Sequence, residues 1–316
     1  MMKVYIFILT TWLFSYFSPP VIQSSKLLTD DLNENNNQAP RRNKDHTMSN
    51  IISLVEGRNV FGANSEGYNH ARPDYPQRVY EILRSHNVAN KESNVFEIGA
   101  GTGQATEPLL ALGCKVTAIE PDTRLADTLY QRLNHYGSSL EIIRSSFEDC
   151  SLPSATFDSG IAAMSFHWLQ PETALMRIFE LLRPGGWWAM WWTVFGDPAN
   201  MDAFQRSTQA LFKPLSLSPS HATGASRPFA LEKDMRVKEL QSAGFSDVFY
   251  EDIRWSPTLT TRQVVDLTAT FSPVSRLPEE ERKQFLNQIE KIADEEFGGL
   301  VQRNFITAIY LARKPE

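Results

Sequence analysis

One turn, residues 97–103, constrains the fold of this chain more than any other segment. It reads Glu-Ile-Gly-Ala-Gly-Thr-Gly, follows a short apolar run and opens a stretch with helical periodicity. Glycines at alternate positions, Gly99, Gly101 and Gly103, permit positive φ angles and let a ligand approach the main chain, where a Cβ atom would block it. The turn therefore predicts a ligand-binding loop between a β-strand and an α-helix of an α/β fold.

The spacing of these glycines distinguishes two kinds of nucleotide site. A nicotinamide or flavin dinucleotide fingerprint is G-x-G-x-x-G, with the pyrophosphate at the helix N-terminus. Here the pattern is G-x-G-x-G, and Glu97 places a negative charge where a dinucleotide would place phosphate. A carboxylate at this position favours a cationic or zwitterionic ligand, because it accepts hydrogen bonds from an ammonium group.

A second acidic position follows the next predicted strand. The predicted strand at residues 115–119, Lys-Val-Thr-Ala-Ile, ends in Glu120-Pro121-Asp122. This is about as far past the glycines as the ribose-binding acid in a mononucleotide-binding half. We expect Glu120 to bind two ribose hydroxyls and Asp122 to cap the following helix, whose leucines recur every fourth residue.

Strand and helix patterns alternate along the chain, which predicts a parallel sheet. The first predicted strand ends at residue 98. The others cover residues 115–119, 140–143, 161–164, 187–194, 248–253 and 305–312. One predicted helix begins at Pro171, a second covers residues 231–243, and a third runs from Pro278 to Gly298. Residues 213–227, rich in Ser, Pro and Ala, are predicted to form a long loop or lid over a ligand.

Four further segments, together with the glycine turn and Glu120, resemble a known family. They are Y-N-H-A-R-P-D-Y-P at residues 68–76, S-F-E-D at 146–149, S-F-H-W at 165–168 and L-R-P-G-G at 182–186. From about residue 61 to the C-terminus the chain resembles the class I S-adenosylmethionine-dependent methyltransferases, and within them the small-molecule branch that includes the trans-aconitate enzymes. The ordered set is more specific than the glycine turn alone.

This resemblance implies a fold, a cofactor and an activity. The implied fold is an α/β, Rossmann-like sheet of seven strands in the order 3-2-1-4-5-7-6, with the last strand antiparallel and helical cap elements around Val264 and Phe285. The implied cofactor is S-adenosyl-L-methionine. The implied reaction is methyl transfer to an oxygen or nitrogen of a small-molecule acceptor, such as a carboxylate or a secondary metabolite.

The resemblance also implies roles for individual residues. The cofactor-binding set combines the glycine turn, the ribose acid and the flanking motif positions: Tyr68, Arg72, Glu97, Gly99, Ala100, Gly101, Gly103, Glu120, Pro121, Phe147, Glu148 and Ser165. Tyr68 and Arg72 resemble residues that close over the methionine end, where Arg72 pairs with the carboxylate or else lies on a helix surface. Phe147 is expected at the adenine or in the core, and Glu148 at the exocyclic amine or as a turn cap.

Methyl transfer from a sulfonium is an in-line displacement, which a protein accelerates mainly by aligning the acceptor and excluding water. It requires no nucleophilic triad, and the sequence contains no G-x-S-x-G elbow. His167, after the fourth strand, is the candidate general base, with a structural role at the cofactor boundary as the alternative. Trp192 and Thr193 are candidates for the wall of the acceptor pocket, with burial in the core as the alternative.

Composition narrows the range of partners. The chain has 316 residues and a formal net charge of −6, without the clustered basic surface that nucleic-acid binding requires. We therefore predict a small-molecule acceptor, no nucleic-acid partner, and a monomer or weak dimer. Cys114 and Cys150 are predicted to be free thiols at opposite sheet edges, and no metal site is predicted.

Two functional alternatives remain at this point. One is a protein that binds S-adenosylmethionine without turnover, which the intact glycines and Glu120 disfavour. The other is an NAD(P)-dependent oxidoreductase on a similar fold, which the glycine spacing and the turn at residues 184–186 disfavour.

The N-terminal segment is interpreted separately from the enzyme domain. Residues 1–25 have the charged end and apolar run of a signal peptide or anchor, and residues 26–55 have the Asn-rich, charged composition of a disordered linker. The methyltransferase domain is assigned to residues 56–316, with its core at about 92–195 and its cap and last strands at about 196–316. Three interpretations stay open: a secretory or anchoring signal, a membrane-tethered enzyme, or an upstream extension with the working start at Met48. Membrane contact is predicted only for an uncleaved anchor, and the free thiols and nucleotide-like cofactor favour a cytosolic-facing domain.

Overall fold

The structure is a computed structural model that describes residues 71–215 and 227–316, all of which belong to the unit Met48–Glu316. The predictions for the N-terminal segment, for the linker and for Tyr68 lie outside the described residues, as do residues 216–226 of the predicted lid. Within the described ranges, none of the helices combines the length and apolar content that crossing a bilayer requires.

Seven of the nine described strands form one sheet. In chain order the strands are β1 Asn94–Ile98, β2 Lys115–Ile119, β3 Leu140–Ile143, β4 Phe157–Ala163, β5 Leu182–Val194, β6 Ser246–Trp255, β7 Thr258–Thr260, β8 Leu300–Gln302 and β9 Phe305–Arg313. The sheet order is β3-β2-β1-β4-β5-β9-β6, and β9 runs antiparallel to both β5 and β6. Because β9 is the seventh strand of this sheet in chain order, the predicted order 3-2-1-4-5-7-6 and the antiparallel last strand are confirmed.

The helices lie between these strands. In chain order they are α1 Gln77–Ser85, α2 Thr106–Ala111, α3 Thr123–Leu133, α4 Pro171–Leu181, α5 Ala203–Phe212, α6 Lys233–Ser242, α7 Thr261–Ala269, α8 Ser272–Ser275 and α9 Glu279–Phe297. Their ends follow local chemistry. The Asp122 carboxylate accepts a hydrogen bond from the Arg124 backbone N–H at the start of α3, Pro171 occupies the first turn of α4, and Gly298 ends α9 with a φ of 62°.

Several predicted boundaries differ from the structure. Strand β4 begins at Phe157 rather than at residue 161, and ends before Met164, whose φ of 60° breaks the strand. Strand β5 begins at Leu182, which pairs with Phe157 ahead of a register shift, whereas the sequence predicts a start at residue 187. Helix α6 is shorter at its start than predicted, because a 3-10 turn occupies Phe229–Leu231. The small antiparallel pair β7 and β8 was not predicted.

Four tryptophans on β5 place indole rings on both faces of the sheet, as the strand period of two requires. Trp188 and Trp192 belong to the core on one face, and Trp191 to the core on the other face. The aromatic ring of Phe96 on β1 stacks near Trp188, with ring centroids 6.2 Å apart. The alternation therefore builds two apolar layers around the central strands, and the ring contact joins β1 and β5 across the intervening strand β4.

Gly160 on β4 provides the space for the Phe96 ring. A Cβ atom built on Gly160 would lie 2.1 Å from the Phe96 ring carbon Cζ, far inside van der Waals contact. The backbone of Gly160 has an ordinary negative φ, so the glycine is required here for space and not for backbone conformation.

We predict that Gly160→Ala lowers the free energy of unfolding by about 1–3 kcal/mol, because overpacking displaces the Phe96 ring. Without the clash, the same change would stabilise the chain by about 0.4–1 kcal/mol. Denaturant unfolding measures the sign. In a Phe96→Leu background the penalty of Gly160→Ala is expected to shrink, and strictly additive losses would contradict this explanation.

Candidate active site

The turn after β1 carries three glycines with positive φ angles, 67° at Gly99, 58° at Gly101 and 93° at Gly103. A Cβ atom on Gly99 would lie 2.6 Å from Cβ of Ser165, and one on Gly103 would lie 2.5 Å from Cδ1 of Leu129 in α3. A Cβ atom on Gly101 would meet no atom of the described residues within 4 Å, and Gly101 lines the cavity described below. Of the three, Gly101 therefore keeps open space for a ligand, whereas Gly99 and Gly103 admit neighbouring protein groups.

Glu120 lies directly after β2 and connects that strand to the glycine turn. One carboxylate oxygen, Oε2, accepts a hydrogen bond of 2.8 Å from the backbone N–H of Gly101, and Oε1 accepts one of 2.9 Å from the backbone N–H of Asp122. The residue is only 4% exposed. Burial raises the pKa of Glu120 to about 7, although the two backbone donors act in the opposite direction.

Glu97, the last residue but one of β1, is buried beside it. Its Oε2 atom accepts a hydrogen bond of 2.6 Å from the hydroxyl of Thr106 at the start of α2. Burial raises the pKa of Glu97 to about 8, the hydroxyl of Thr106 lowers it, and the charge of Glu120 raises it further. Two buried carboxyl groups with raised pKa values are typical of a site that binds a cation.

One cavity, of about 690 Å³, begins at this turn. Of the residues predicted to bind the cofactor or to act in catalysis, eleven line it: Arg72, Glu97, Gly99, Ala100, Gly101, Glu120, Pro121, Phe147, Glu148, Ser165 and His167. Gly103 does not line it and packs against α3 instead. The structure thus brings together residues from five separate segments of the chain, at the carboxyl edge of the parallel strands.

The flanking motif residues have well-defined packing partners. Ser165, after β4, donates a hydrogen bond from its hydroxyl to the carbonyl oxygen of Ile98, which ties the ends of β4 and β1 together. Phe147 is both core and cavity wall, since its ring stacks 6.2 Å from that of Phe96. Glu148 is exposed at the cavity rim.

Arg72 lies on the side of the cavity that is lined by residues from the C-terminal part of the chain. Its Nε atom donates to the hydroxyl of Thr270 at 3.3 Å, and its guanidinium lies over the ring of Phe195, 5.3 Å from the centroid. Arg72 therefore belongs to the wall built by the C-terminal cap, and it is not confined to a helix surface.

His167 lies in a 3-10 turn, Phe166–Trp168, and is almost completely buried. Its Nδ1 atom is 3.0 Å from Nε1 of Trp192 on β5. Burial lowers the pKa of His167 to about 3, and the positive charge of Arg72 lowers it further. Trp192 and Thr193 both line the cavity and are also buried, so burial in the core and a place in the cavity wall are compatible.

Sequence reasoning missed the far side of the cavity, which we call the cap wall. It consists of side chains from α5, from the end of α7 and from the segment between α7 and α8, together with Phe195: Phe195, Phe204, Gln205, Thr208, Phe212, Thr268 and Phe271. The rings of Phe195 and Phe271 stack with centroids 5.7 Å apart. These residues are spread over about 80 positions of the chain, and no local motif marks them.

Arg303, whose guanidinium lies 5.2 Å from the centroid of the Phe204 ring, is neutralised by an ion pair. Arg303 donates from Nε to Asp202 at 3.0 Å and from Nη2 to the carbonyl oxygen of Phe195 at 3.0 Å. Within the described ranges, no group of three or more His, Cys, Asp or Glu side chains is arranged to hold a metal ion. Cys114 and Cys150 are buried free thiols, and burial raises the pKa of Cys114 to about 11.

Comparisons with known proteins agree with this geometry. Residues 96–190 match the family described as methyltransferase domain. An uncharacterised methyltransferase of Schizosaccharomyces pombe is 24% identical over 239 residues, covering 74% of this chain and 86% of the relative. An uncharacterised methyltransferase of a Geobacillus species is 30% identical over 155 residues, covering 47% of this chain and 68% of the relative.

Two solved structures share the fold. The cyclase SpnF aligns with a TM-score of 0.54 at 14% identity, covering 84% of this chain and 98% of that one. A phosphoethanolamine N-methyltransferase of Haemonchus contortus, solved with phosphomonomethylethanolamine and S-adenosylhomocysteine, aligns with a TM-score of 0.52 at 12% identity. That alignment covers 84% of this chain and 61% of the other.

The chain belongs to the class I S-adenosylmethionine-dependent methyltransferases, and S-adenosylmethionine is its cofactor. The alternative of a nicotinamide oxidoreductase is thereby set aside. The residues fit this cofactor, because two buried carboxyl groups suit a ligand with ribose hydroxyls and positive charge, and Gly101 leaves space where a side chain would intrude.

We predict that Glu120→Ala weakens the binding of S-adenosylhomocysteine at least tenfold, about 1.4 kcal/mol, because it removes a buried hydrogen-bond acceptor for the ribose. Isothermal titration calorimetry measures the dissociation constant. Glu180→Ala, which removes an exposed carboxylate of α4 outside the cavity, is the matched control. Unchanged affinity in a folded Glu120→Ala protein would refute the assignment.

A second prediction concerns the pH dependence of S-adenosylhomocysteine binding. Because the pKa values of Glu97 and Glu120 are raised to about 8 and about 7, both carboxyl groups are largely protonated at a pH of about 6. Pairing with an ammonium group requires the ionised form, so binding lowers the pKa and releases a proton. The affinity for S-adenosylhomocysteine is therefore expected to rise between pH about 6 and about 8.

Calorimetry in two buffers with different ionisation enthalpies counts the released protons. Glu97→Gln keeps an acceptor for the Thr106 hydroxyl but cannot ionise, and we expect it to release fewer protons than the wild type. Binding heats that do not depend on the buffer would contradict the proposed pairing.

Proposed function

We propose that this methyltransferase transfers a methyl group to an oxygen or nitrogen of a small molecule bound between the glycine turn and the cap wall. The observation that carries the proposal is the continuity of the cavity, whose lining runs from Glu97 and Gly101 to Phe212 and Phe271. A volume of about 690 Å³ falls in the range of pockets that enclose small ligands.

The site residues divide between cofactor and acceptor. We assign Glu120 to the ribose hydroxyls, Glu97 to the methionine ammonium group, and Phe147 with Glu148 to the adenine. Pro121, Ala100 and Ser165 shape the same part of the cavity, and the role proposed for Tyr68 rests on the motif alone. The bound cofactor supplies an activated methyl group on a sulfonium. The chain's own residues hold the reactants in line and exclude water.

The cap wall indicates what kind of acceptor fits. Its rings offer apolar surface for the body of the molecule, as the stacked Phe195 and Phe271 show. Arg72 and Arg227 also line the cavity. Among oxygen acceptors, two cationic side chains favour a carboxylate, because charge-assisted hydrogen bonds are the stronger ones.

One hydrogen-bond acceptor of the cap wall is left unused among the described residues. The side-chain Oε1 of Gln205 is buried without a hydrogen-bond partner in residues 71–215 and 227–316, although Gln205 lines the cavity. A buried acceptor without a partner costs stability, which a ligand that donates a hydrogen bond restores. We therefore propose that the acceptor carries an N–H or O–H group that meets Gln205.

The test uses the full chain, methyl-labelled S-adenosylmethionine and an extract of the source organism separated into small molecules and macromolecules. We expect label in the small-molecule fraction, and label confined to protein or nucleic acid would contradict the proposal. Gln205→Leu is expected to reduce the labelled product about tenfold through the lost hydrogen bond. Because Oε1 has no partner, the same substitution should leave thermal stability unchanged or higher.

Gln241→Leu, at an exposed position of α6, is the matched control for Gln205→Leu and should leave the product yield at the wild-type value. Both variants should bind S-adenosylhomocysteine normally. A loss of product equal in the two variants would contradict the role of Gln205.

A further inference from the structure

A hydrogen bond between Trp192 and His167 fixes the chemical state of the histidine. The indole Nε1 of Trp192 lies 3.0 Å from Nδ1 of His167, and both residues are buried. An indole nitrogen has a hydrogen to donate and no lone pair to accept with. Nδ1 of His167 must therefore be the acceptor, and the proton of the neutral ring sits on Nε2.

The surroundings hold the ring in its neutral form. Burial and the charge of Arg72 hold the pKa of His167 at about 3, so that the imidazole carries no charge at neutral pH. Two other ionisable groups pack against Trp192 and Phe229 among the described residues, and Arg236 is paired with Glu239. Tyr310 has its pKa raised by burial and stays protonated, and Arg236 is cationic.

Trp192 is itself held in a fixed position. Its ring meets that of Phe229 edge-on at 5.3 Å and that of Tyr310 at 6.2 Å between centroids. The hydroxyl of Tyr310 donates to the carbonyl oxygen of Ala230 at 2.7 Å. The direction of the indole N–H is therefore set by packing, and it orients His167 in turn.

The remaining nitrogen of His167 is available to a ligand. Among the described residues, Nε2 has no hydrogen-bond partner, and His167 lines the cavity between the cofactor-binding turn and the cap wall. A general base needs an unprotonated nitrogen facing the acceptor. Here the nitrogen without a protein partner already carries a proton, and the lone pair of Nδ1 is engaged by Trp192.

We propose that His167 is a hydrogen-bond donor to the acceptor molecule through Nε2–H, with Trp192 as the positioning residue that holds this tautomer, and that His167 does not act as a general base. The proposal rests on the small-molecule acceptor described above. It predicts that the acceptor molecule has an oxygen or nitrogen lone pair, as in a carboxylate or carbonyl group. That lone pair accepts the hydrogen bond from Nε2–H. No proton is transferred at His167, so the methylated atom needs a lone pair available without deprotonation by this residue.

The tautomer can be measured without any acceptor. Long-range proton–nitrogen NMR spectra of protein labelled with ¹⁵N at histidine separate the two tautomers, and His167→Gln identifies the signals of His167. We expect the Nε2–H tautomer, with no titration between pH about 5 and about 8. An Nδ1–H tautomer, or an imidazolium that appears within that range, would overturn the proposal.

Trp192→Phe keeps the aromatic ring and removes the N–H. We expect the His167 signals to move toward a mixture of tautomers, because Nδ1 loses the indole N–H that fixes it as the acceptor. Trp188→Phe is the matched control, because Trp188 lies on the same strand and its buried indole N–H has no partner within the described part of the chain. An unchanged His167 tautomer in folded Trp192→Phe protein, or equal changes in both variants, would contradict the positioning role.

The methyl-transfer assay distinguishes a hydrogen-bond donor from a general base at position 167. Gln at position 167 keeps an N–H near the place of Nε2, whereas Ala does not, and neither has a basic nitrogen. We expect His167→Gln to yield about tenfold more labelled product than His167→Ala, with equal affinities for S-adenosylhomocysteine. Equal yields from the two variants would overturn the donor role. If no small-molecule product forms at all, the proposed acceptor class fails, while the NMR measurement still decides the state of His167.

Discussion

Two carboxyl groups, those of Glu97 and Glu120, are buried at the carboxyl ends of neighbouring parallel strands, and the rest of the site depends on this unfavourable placement. Burial alone makes each of them reluctant to ionise, and the charge of Glu120 adds to the effect at Glu97. The protein provides only partial compensation, from the hydroxyl of Thr106 and from the backbone N–H groups of Gly101 and Asp122. A ligand with ribose hydroxyls and positive charge supplies the remainder, so the site is most stable when loaded.

The glycine turn shows how one motif serves two purposes. Gly99 and Gly103 admit Ser165 and Leu129, which fix the turn to β4 and α3, and Gly101 leaves space on the cavity side. The turn is thereby rigid where it meets protein and open where it meets the cofactor. Rigid backbone beside a buried acid is the arrangement that pre-organises a binding site before the ligand arrives.

The sequence predicts the features that neighbouring residues determine. Strand order followed from a recognisable family pattern, and Glu97, Gly101 and Glu120 from spacing within single strand-to-helix turns. The cap wall could not be predicted, because it is assembled by contacts between distant positions, such as the ion pair of Asp202 with Arg303. The start of β5 was missed because pairing of Leu182 overrides its Pro-Gly-Gly turn signal. The tautomer of His167 likewise depends on a tryptophan from another strand. In each of these cases a tertiary contact determines a feature that the local sequence pattern does not specify.

A crystal structure of the full chain with S-adenosylhomocysteine tests the central claim most directly. We expect the ribose hydroxyls within hydrogen-bond distance of the Glu120 carboxylate, the amino group beside Glu97, and the ligand against the open side of Gly101. Density for the ligand elsewhere in the cavity, or a nucleoside held without contact to either carboxylate, would contradict it.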